Sequence, residues 1–179
     1  MRQSEAIKRL TDWDRRGRYV FAAADMAKIF PEDTPRNREA TLTRLVREGI
    51  LERPSKGVYL YALSRHKGPD TIELIARTLR RGAYNYISLE SALSEYGVIS
   101  QIPVDRLTLM TTGRKGEYIT PYGVIEFTHT QRSISDILRS TLERGRPLKI
   151  ATKQAALRDL RRVGRNTHLV DEEVANEQA

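Results

Sequence analysis

Arg36, Asn37, Ala40, Thr41 and Arg44 recur at the spacing that puts them on one side of a helix at 100° per residue. Arginine and asparagine can pair with the edges of guanine and adenine. Arginine and threonine can reach phosphate, and a small alanine lets the helix approach closely. Arg38, in the same stretch, is counted with them as a DNA contact. Arg53 and Lys56 follow on a Pro54-Ser55-Lys56-Gly57 turn, where cations would lie over the DNA backbone. Two further basic groups recur later. Gly113-Arg114-Lys115-Gly116 matches the GXXG loop with which KH domains clamp nucleotide backbone. That loop joins two helices, whereas this segment has extended patterns on both sides, so a basic hairpin turn is expected, with Arg114 and Lys115 able to touch phosphate. Arg158, Arg161, Arg162 and Arg165 stand at helical spacing, as do Arg77, Arg80 and Arg81; each set is a solvated face or a nucleic-acid contact.

Catalytic chemistry has no matching pattern. The chain has no cysteine, which excludes thiolate zinc sites and a cysteine nucleophile. His66, His129 and His168 are scattered without metal-ligand spacing. No nucleophile elbow, P-loop or G-x-G-x-x-G occurs. A metal-dependent nuclease would want an acid two positions before a lysine, and no Asp or Glu here has one. A protein that is not an enzyme and needs no cofactor or metal is expected.

Charge points toward nucleic acid. Lys and Arg number 31 against 23 Asp and Glu, for a net +8, and 24 of the 31 are arginine. Residues 1–63 carry net +4, 64–165 net +8 and 166–179 net −4, so an acidic tail conceals part of a basic body. The longest apolar run, Tyr19 to Ala24, is far below the roughly 20 residues of a membrane span. The opening residues lead into no apolar stretch, so a cytoplasmic protein with no membrane partner is expected.

The elements that must position these residues follow from periodicity. Arg2 to Arg15 places Ala6, Ile7, Leu10 and Trp13 at helical spacing before Gly17. Ala22 to Phe30 is a shorter helical segment closed by Pro31. Thr34 with Pro35 starts a third helix that runs to Glu48. Leu42, Leu45 and Val46 form its inner side. Ile50–Arg53 and Val58–Leu63 read as a hairpin. Helix, helix, helix and hairpin is the order of a winged helix-turn-helix. Ser64–Gly68 reads as a linker. Beyond it, helices are predicted over 70–81 and 89–96, with Ser88 as the cap of the latter. Strands are predicted at Leu107–Thr112, Glu117–Ile119 and Gly123–Thr128. A weak helix over 134–143 and a firm one from Thr152 to Gly164 complete the pattern. The fold class is α+β: a winged helix-turn-helix (1–63), a linker (64–68), a smaller α/β C-terminal domain (69–165) and an acidic tail (166–179).

The run Tyr86-Ile87-Ser88-Leu89-Glu90-Ser91-Ala92-Leu93-Ser94-Glu95-Tyr96-Gly97-Val98-Ile99, followed by Gln101-Ile102-Pro103, resembles the central motif of AbiEi-type antitoxins of type IV toxin–antitoxin systems. Thr111-Thr112 and the segment from Lys149 through Ala156-Leu157-Arg158-Asp159-Leu160 are similar to later elements of that family. The resemblance spans roughly residues 5–165. It implies an N-terminal domain that binds inverted repeats of double-stranded DNA in its own promoter. It also implies a C-terminal domain that counters a nucleotidyltransferase-like toxin, without the need for a stable complex. Read without the family, Leu89, Ala92, Leu93 and Tyr96 are a core-facing stripe, so packing accounts for the motif. The alternative function is an RNA- or protein-binding module that restrains a toxin through the basic C-terminal domain, without sequence-specific DNA binding.

Overall fold

The computed structural model describes residues 1–100 and 104–178, so Gln101-Ile102-Pro103 lie outside the described residues. The chain is α+β, with two separate sheets and two compact units, Met1–Leu79 and Arg80–Ala179.

In the first unit, α1 (Gln3–Arg15) turns Ala6 and Leu10 inward. The apolar run after it forms a short strand, β1 (Val20–Ala22), which the sequence reading does not anticipate. A single 3-10 turn leads into α2 (Met26–Ile29). Arg9 of α1 donates to the Ile29 carbonyl at 2.9 Å and grips Glu32 at 2.8 and 2.9 Å, which fixes the two helices against each other. Next, α3 (Pro35–Arg47) starts as its sequence demands: proline fills the first turn, and the Thr34 hydroxyl accepts from the Asn37 amide at 3.3 Å. Then β2 (Leu51–Ser55) and β3 (Val58–Tyr61) form the hairpin, and β3 lies between β1 and β2. Leu10, Phe21, Met26, Phe30, Leu45 and Leu60 are fully buried between helices and sheet. Each such side chain contributes about 1.5–3 kcal/mol.

The boundary between units differs from the sequence reading. The segment 64–68 is fastened to the first unit, not left as a free connector. Ser64 donates its hydroxyl to the Asp14 carboxylate, His66 Nδ1 lies 3.1 Å from the same group, and Lys67 meets Glu52 at 3.1 Å. Burial pushes the Asp14 carboxyl up, but the hydrogen bonds from Ser64 and His66 outweigh it and hold the group below the usual range. The helix beyond, α4 (Thr71–Leu79), belongs to the first unit, where Thr71 pairs with the Tyr19 hydroxyl at 2.9 Å.

The second unit is the longer of the two, so the expectation of a smaller C-terminal domain does not hold. Its strands are β4 (Asn85–Ile87), β5 (Arg106–Thr111), β6 (Gly116–Thr120), β7 (Gly123–His129), β8 (Thr141–Leu142) and β9 (Lys149–Ala151). They assemble in the order β6-β7-β5-β4-β9-β8, with β4–β9 and β5–β7 parallel. Among the helices that accompany them are α5 (Leu89–Glu95), α6 (Ile134–Arg139) and α7 (Lys153–Val163). Leu89, Ala92 and Leu93 of the predicted stripe on α5 are buried and Tyr96 is half-buried, while Ala156, Leu157 and Leu160 of α7 are buried. Thr152 caps α7 through the Ala155 amide, also as predicted.

The start of α5 is a correction. Ser88 makes no cap; its hydroxyl turns to Asp159 instead, at 2.7 Å. Thr108 of β5 supplies the missing acceptor, taking the Ser91 amide at 3.0 Å while donating to the Ser88 carbonyl at 2.7 Å. The price is a left-handed Leu89 (φ 58°), about 1–2 kcal/mol for a non-glycine residue, tolerated because its side chain is wholly buried.

The acidic tail is also more ordered than its composition suggests. Asp171 caps α8 (Glu172–Asn176), donates its own amide to Val98 at 2.8 Å, and Lys153 reaches the Val174 carbonyl at 2.9 Å. No helix among the described residues is long and apolar enough to cross a membrane.

Candidate nucleic-acid interface

The outer side of α3 is rotated from its predicted position. Arg36, Asn37, Glu39, Ala40, Thr43 and Arg47 are exposed, and Arg36, Ala40, Thr43 and Arg47 form the ridge of that face. With Glu39 and Arg44 they line a shallow groove. Thr41 is not among them. It is 6% exposed and donates its hydroxyl to Asp33 at 2.9 Å, so it positions the helix and cannot reach a base. Arg38 is half-buried and bound to the Asp33 carbonyl at 2.8 Å. Arg44 is half-buried and donates to the Met1 carbonyl. Thr43 and Arg47 are the residues that sequence reasoning missed. Their signal was a rotation of the helical wheel that becomes visible only once polar Thr41 is placed inside. Glu39 adds a carboxylate that repels phosphate yet can accept from the amino group of cytosine.

The hairpin is tighter than predicted. Strand β2 continues through Pro54 to Ser55, with an irregularity in its pairing between Glu52 and Ser55, leaving a two-residue turn of Lys56 and Gly57. Gly57 takes φ +80°, a conformation that side chains resist, so the tip cannot easily be anything else. Lys56 is exposed at the tip. Arg53 is exposed beside it, with its guanidinium 5.8 Å from the Tyr59 ring.

The second unit's cations divide into exposed groups and groups turned inward. Arg114 and Lys115 are exposed on the connection after β5, which is not a hairpin, because β7 lies between β5 and β6. Arg158, Arg161 and Arg162 are exposed on α7. Arg158 lies 3.7 Å from Asp136, and Arg161 lies 3.4 Å from Glu172. Arg80 and the half-buried Arg165 are committed to partners. Arg80 is buried over Phe127, 4.5 Å from its ring. Arg165 turns inward to Glu90 at 2.8 and 3.1 Å and also contacts Glu126.

Two buried polar knots hold this unit. In one, Asp159, 1% exposed, accepts from Ser88, from the Tyr86 hydroxyl at 3.3 Å and from Arg132 at 3.1 Å. Burial and the neighbouring Asp159 charge push the Tyr86 phenol well above its ordinary range, so it stays a neutral donor. In the other, Glu90 accepts from Arg165 and from Asn166 at 3.0 Å. Burial raises the Glu90 carboxyl, but these partners outweigh it, and the group titrates below its ordinary value of 4.5. A depressed carboxylate stabilises the fold above that ordinary value and loses its contribution as pH falls through the depressed one. Glu90→Gln is therefore expected to lower stability by about 1.5–3 kcal/mol at neutral pH. In thermal melts, its gap from wild type should close as pH drops below 4.5; a gap independent of pH would refute the assignment.

No family model matches the chain, and no curated protein matches it. Among solved structures, it is similar to the crystal structure of the RV2827C protein from Mycobacterium tuberculosis, with a TM-score of 0.61 and 15% sequence identity. The alignment covers 88% of this chain and 60% of that one, so the chain spans less than two thirds of its neighbour's length. At that identity the likeness speaks to the fold alone.

Proposed function

We propose that the first unit is a winged helix-turn-helix that reads double-stranded DNA, and that the chain represses its own operon by binding inverted repeats there. The second unit, on this reading, serves as the antitoxin half of a type IV pair against a nucleotidyltransferase-like toxin. One observation carries the DNA reading: the exposed ridge Arg36-Ala40-Thr43-Arg47 on α3, in the same unit as a two-residue hairpin tipped by Lys56. A small residue between arginines permits close approach to a groove, and the tip cation suits the backbone. Asn37 and Arg44 flank the ridge as secondary contacts, and Arg53 supports the hairpin. The antitoxin half is supported by the resemblance of residues 86–99 and 149–160, two stretches that meet through the Ser88–Asp159 bond.

Binding of the purified protein to its own upstream promoter and to scrambled DNA of equal length, across several salt concentrations, tests the proposal. A preference for the promoter that survives rising salt supports it. Equal and steeply salt-dependent binding to both refutes it and favours a module acting through the exposed Arg158, Arg161 and Arg162 of the second unit. Lys56→Ala should weaken binding to all sequences alike and reduce the salt slope by about one unit. A loss confined to the promoter would move Lys56 from the backbone to a base.

A further inference from the structure

The connection from Thr112 to Lys115 passes over the end of β7, and two contacts fix it there. His129, the last residue of β7, places Nδ1 2.7 Å from the Gly113 carbonyl. Arg80 donates Nε to the Arg114 carbonyl at 2.6 Å from beneath. Its guanidinium is itself seated on the rings of Phe127 and Tyr118, at 4.5 and 5.0 Å. The two glycines make this seat possible. A Cβ at Gly113 would stand 3.1 Å from that of Ala83, and one at Gly116 would stand 3.1 Å from Arg80 Nη2. The glycines thus serve packing, and the two residues between them, Arg114 and Lys115, face solvent. Burial pushes the Tyr118 phenol up, but hydrogen bonds from the Arg80 and Arg114 guanidiniums outweigh it and hold it below its usual range.

An aromatic ring stands at the root of the same connection. Tyr84 is 44% exposed, and its backbone is clamped to Thr112 by two hydrogen bonds of 3.0 Å, amide to Oγ1 and carbonyl to amide. An exposed ring at the root of a connection that carries two exposed cations offers what the two surfaces of an unstacked nucleotide need: a partner for a π face and one for a phosphate. A duplex offers no free base face to such a ring, and an acidic peptide would use only the cations.

We propose that this end of the second unit binds single-stranded nucleic acid, with Tyr84 stacking on a base and Arg114 and Lys115 holding adjacent phosphates. The site is built wholly within the second unit, whereas α3 belongs to the first, and the single-strand proposal does not rest on the duplex reading.

The test uses the full-length chain and fluorescence anisotropy with a labelled oligouridine, an oligothymidine of equal length, and the upstream promoter duplex. Tyr84→Ala should weaken both single strands about tenfold, while Tyr84→Phe, which keeps the ring, should bind as wild type does. The double variant Arg114→Ala/Lys115→Ala should flatten the single-strand salt slope by about 1.4 units, the value for two phosphates. None of these should alter duplex affinity. Preference for one strand over the other identifies the natural source as RNA or DNA, and either supports the site. If Tyr84→Ala binds single strands as well as wild type, or if polyglutamate displaces them as effectively as unlabelled oligouridine, the proposal is overturned. Failure of promoter binding alone would leave these single-strand results unchanged, so the two proposals fail separately.

Discussion

Replacing Asp159 by alanine is expected to destabilise the second unit by about 3–5 kcal/mol, a large share of the roughly 5–15 kcal/mol that holds a domain folded. The carboxylate is the shared acceptor for Ser88, Tyr86 and Arg132, which come from the entry to α5, the centre of the sheet and the segment before α6. Removing it leaves the Arg132 guanidinium, 13% exposed, without its buried counter-charge and strands two hydroxyl donors. Asp136, at 3.4 Å, retains part of the arginine's charge, so the loss should sit toward the lower end of the range. Ser88→Ala removes one donor and keeps the ion pair, and should cost about 1 kcal/mol. Urea unfolding followed by far-ultraviolet circular dichroism, with hydrogen exchange at the Tyr86 and Leu109 amides, measures both. An Asp159→Ala loss no larger than that of Ser88→Ala would mean that the knot is incidental to stability.

Arg36→Ala and Arg47→Ala are each expected to weaken promoter binding by about 1–3 kcal/mol and to relax preference at one or two base pairs, with much smaller effects on scrambled DNA. Thr41→Val is the informative contrast. Its side chain is buried against Asp33, so the substitution should lower stability by about 1 kcal/mol and leave the affinity of the folded protein unchanged. Titrating promoter and scrambled duplex with all three variants separates the cases. If Thr41→Val lost promoter affinity while Arg47→Ala did not, the predicted face of α3 would be right and the observed one would not be the reading face.

The sequence made most helices legible because their signals are local. Thr34-Pro35 and Thr152 mark helix starts by short-range capping, and both appear where periodicity puts them. Strands β1, β4 and β9 have only three residues each, too few for an alternating pattern, and the two residues of β8 fall inside the helix expected over 134–143, which ends at Arg139 instead. Their existence depends on partners far along the chain, as when β4 pairs with both β5 and β9. The candidate interface was half legible. Arg36, Asn37 and Ala40 are exposed as the helical spacing predicts, whereas polarity alone puts Thr41 outside too and turns the face away from Thr43 and Arg47. Ser88 failed for a related reason: a hydroxyl before a helix usually caps it, but a buried carboxylate across the fold competed for it. Polar residues inside a core are where local rules give way to partners that only tertiary structure brings near.

The way α5 is capped has a consequence for the timing of biosynthesis. A seven-residue helix is too short to persist alone, and its first turn is completed by Thr108, which emerges from the ribosome only after the helix itself. The last segments then close the same unit: Asp159 completes the central knot, Arg165 locks onto Glu90, and Asp171 fastens to Val98. The first unit contains all its own strand partners within Met1–Leu79. At roughly 5–20 residues per second, the hundred residues from Arg80 onward take about 5–20 s to make. During that interval every strand partner of the first unit has been made, while the second unit still waits for Asp159, Arg165 and Asp171.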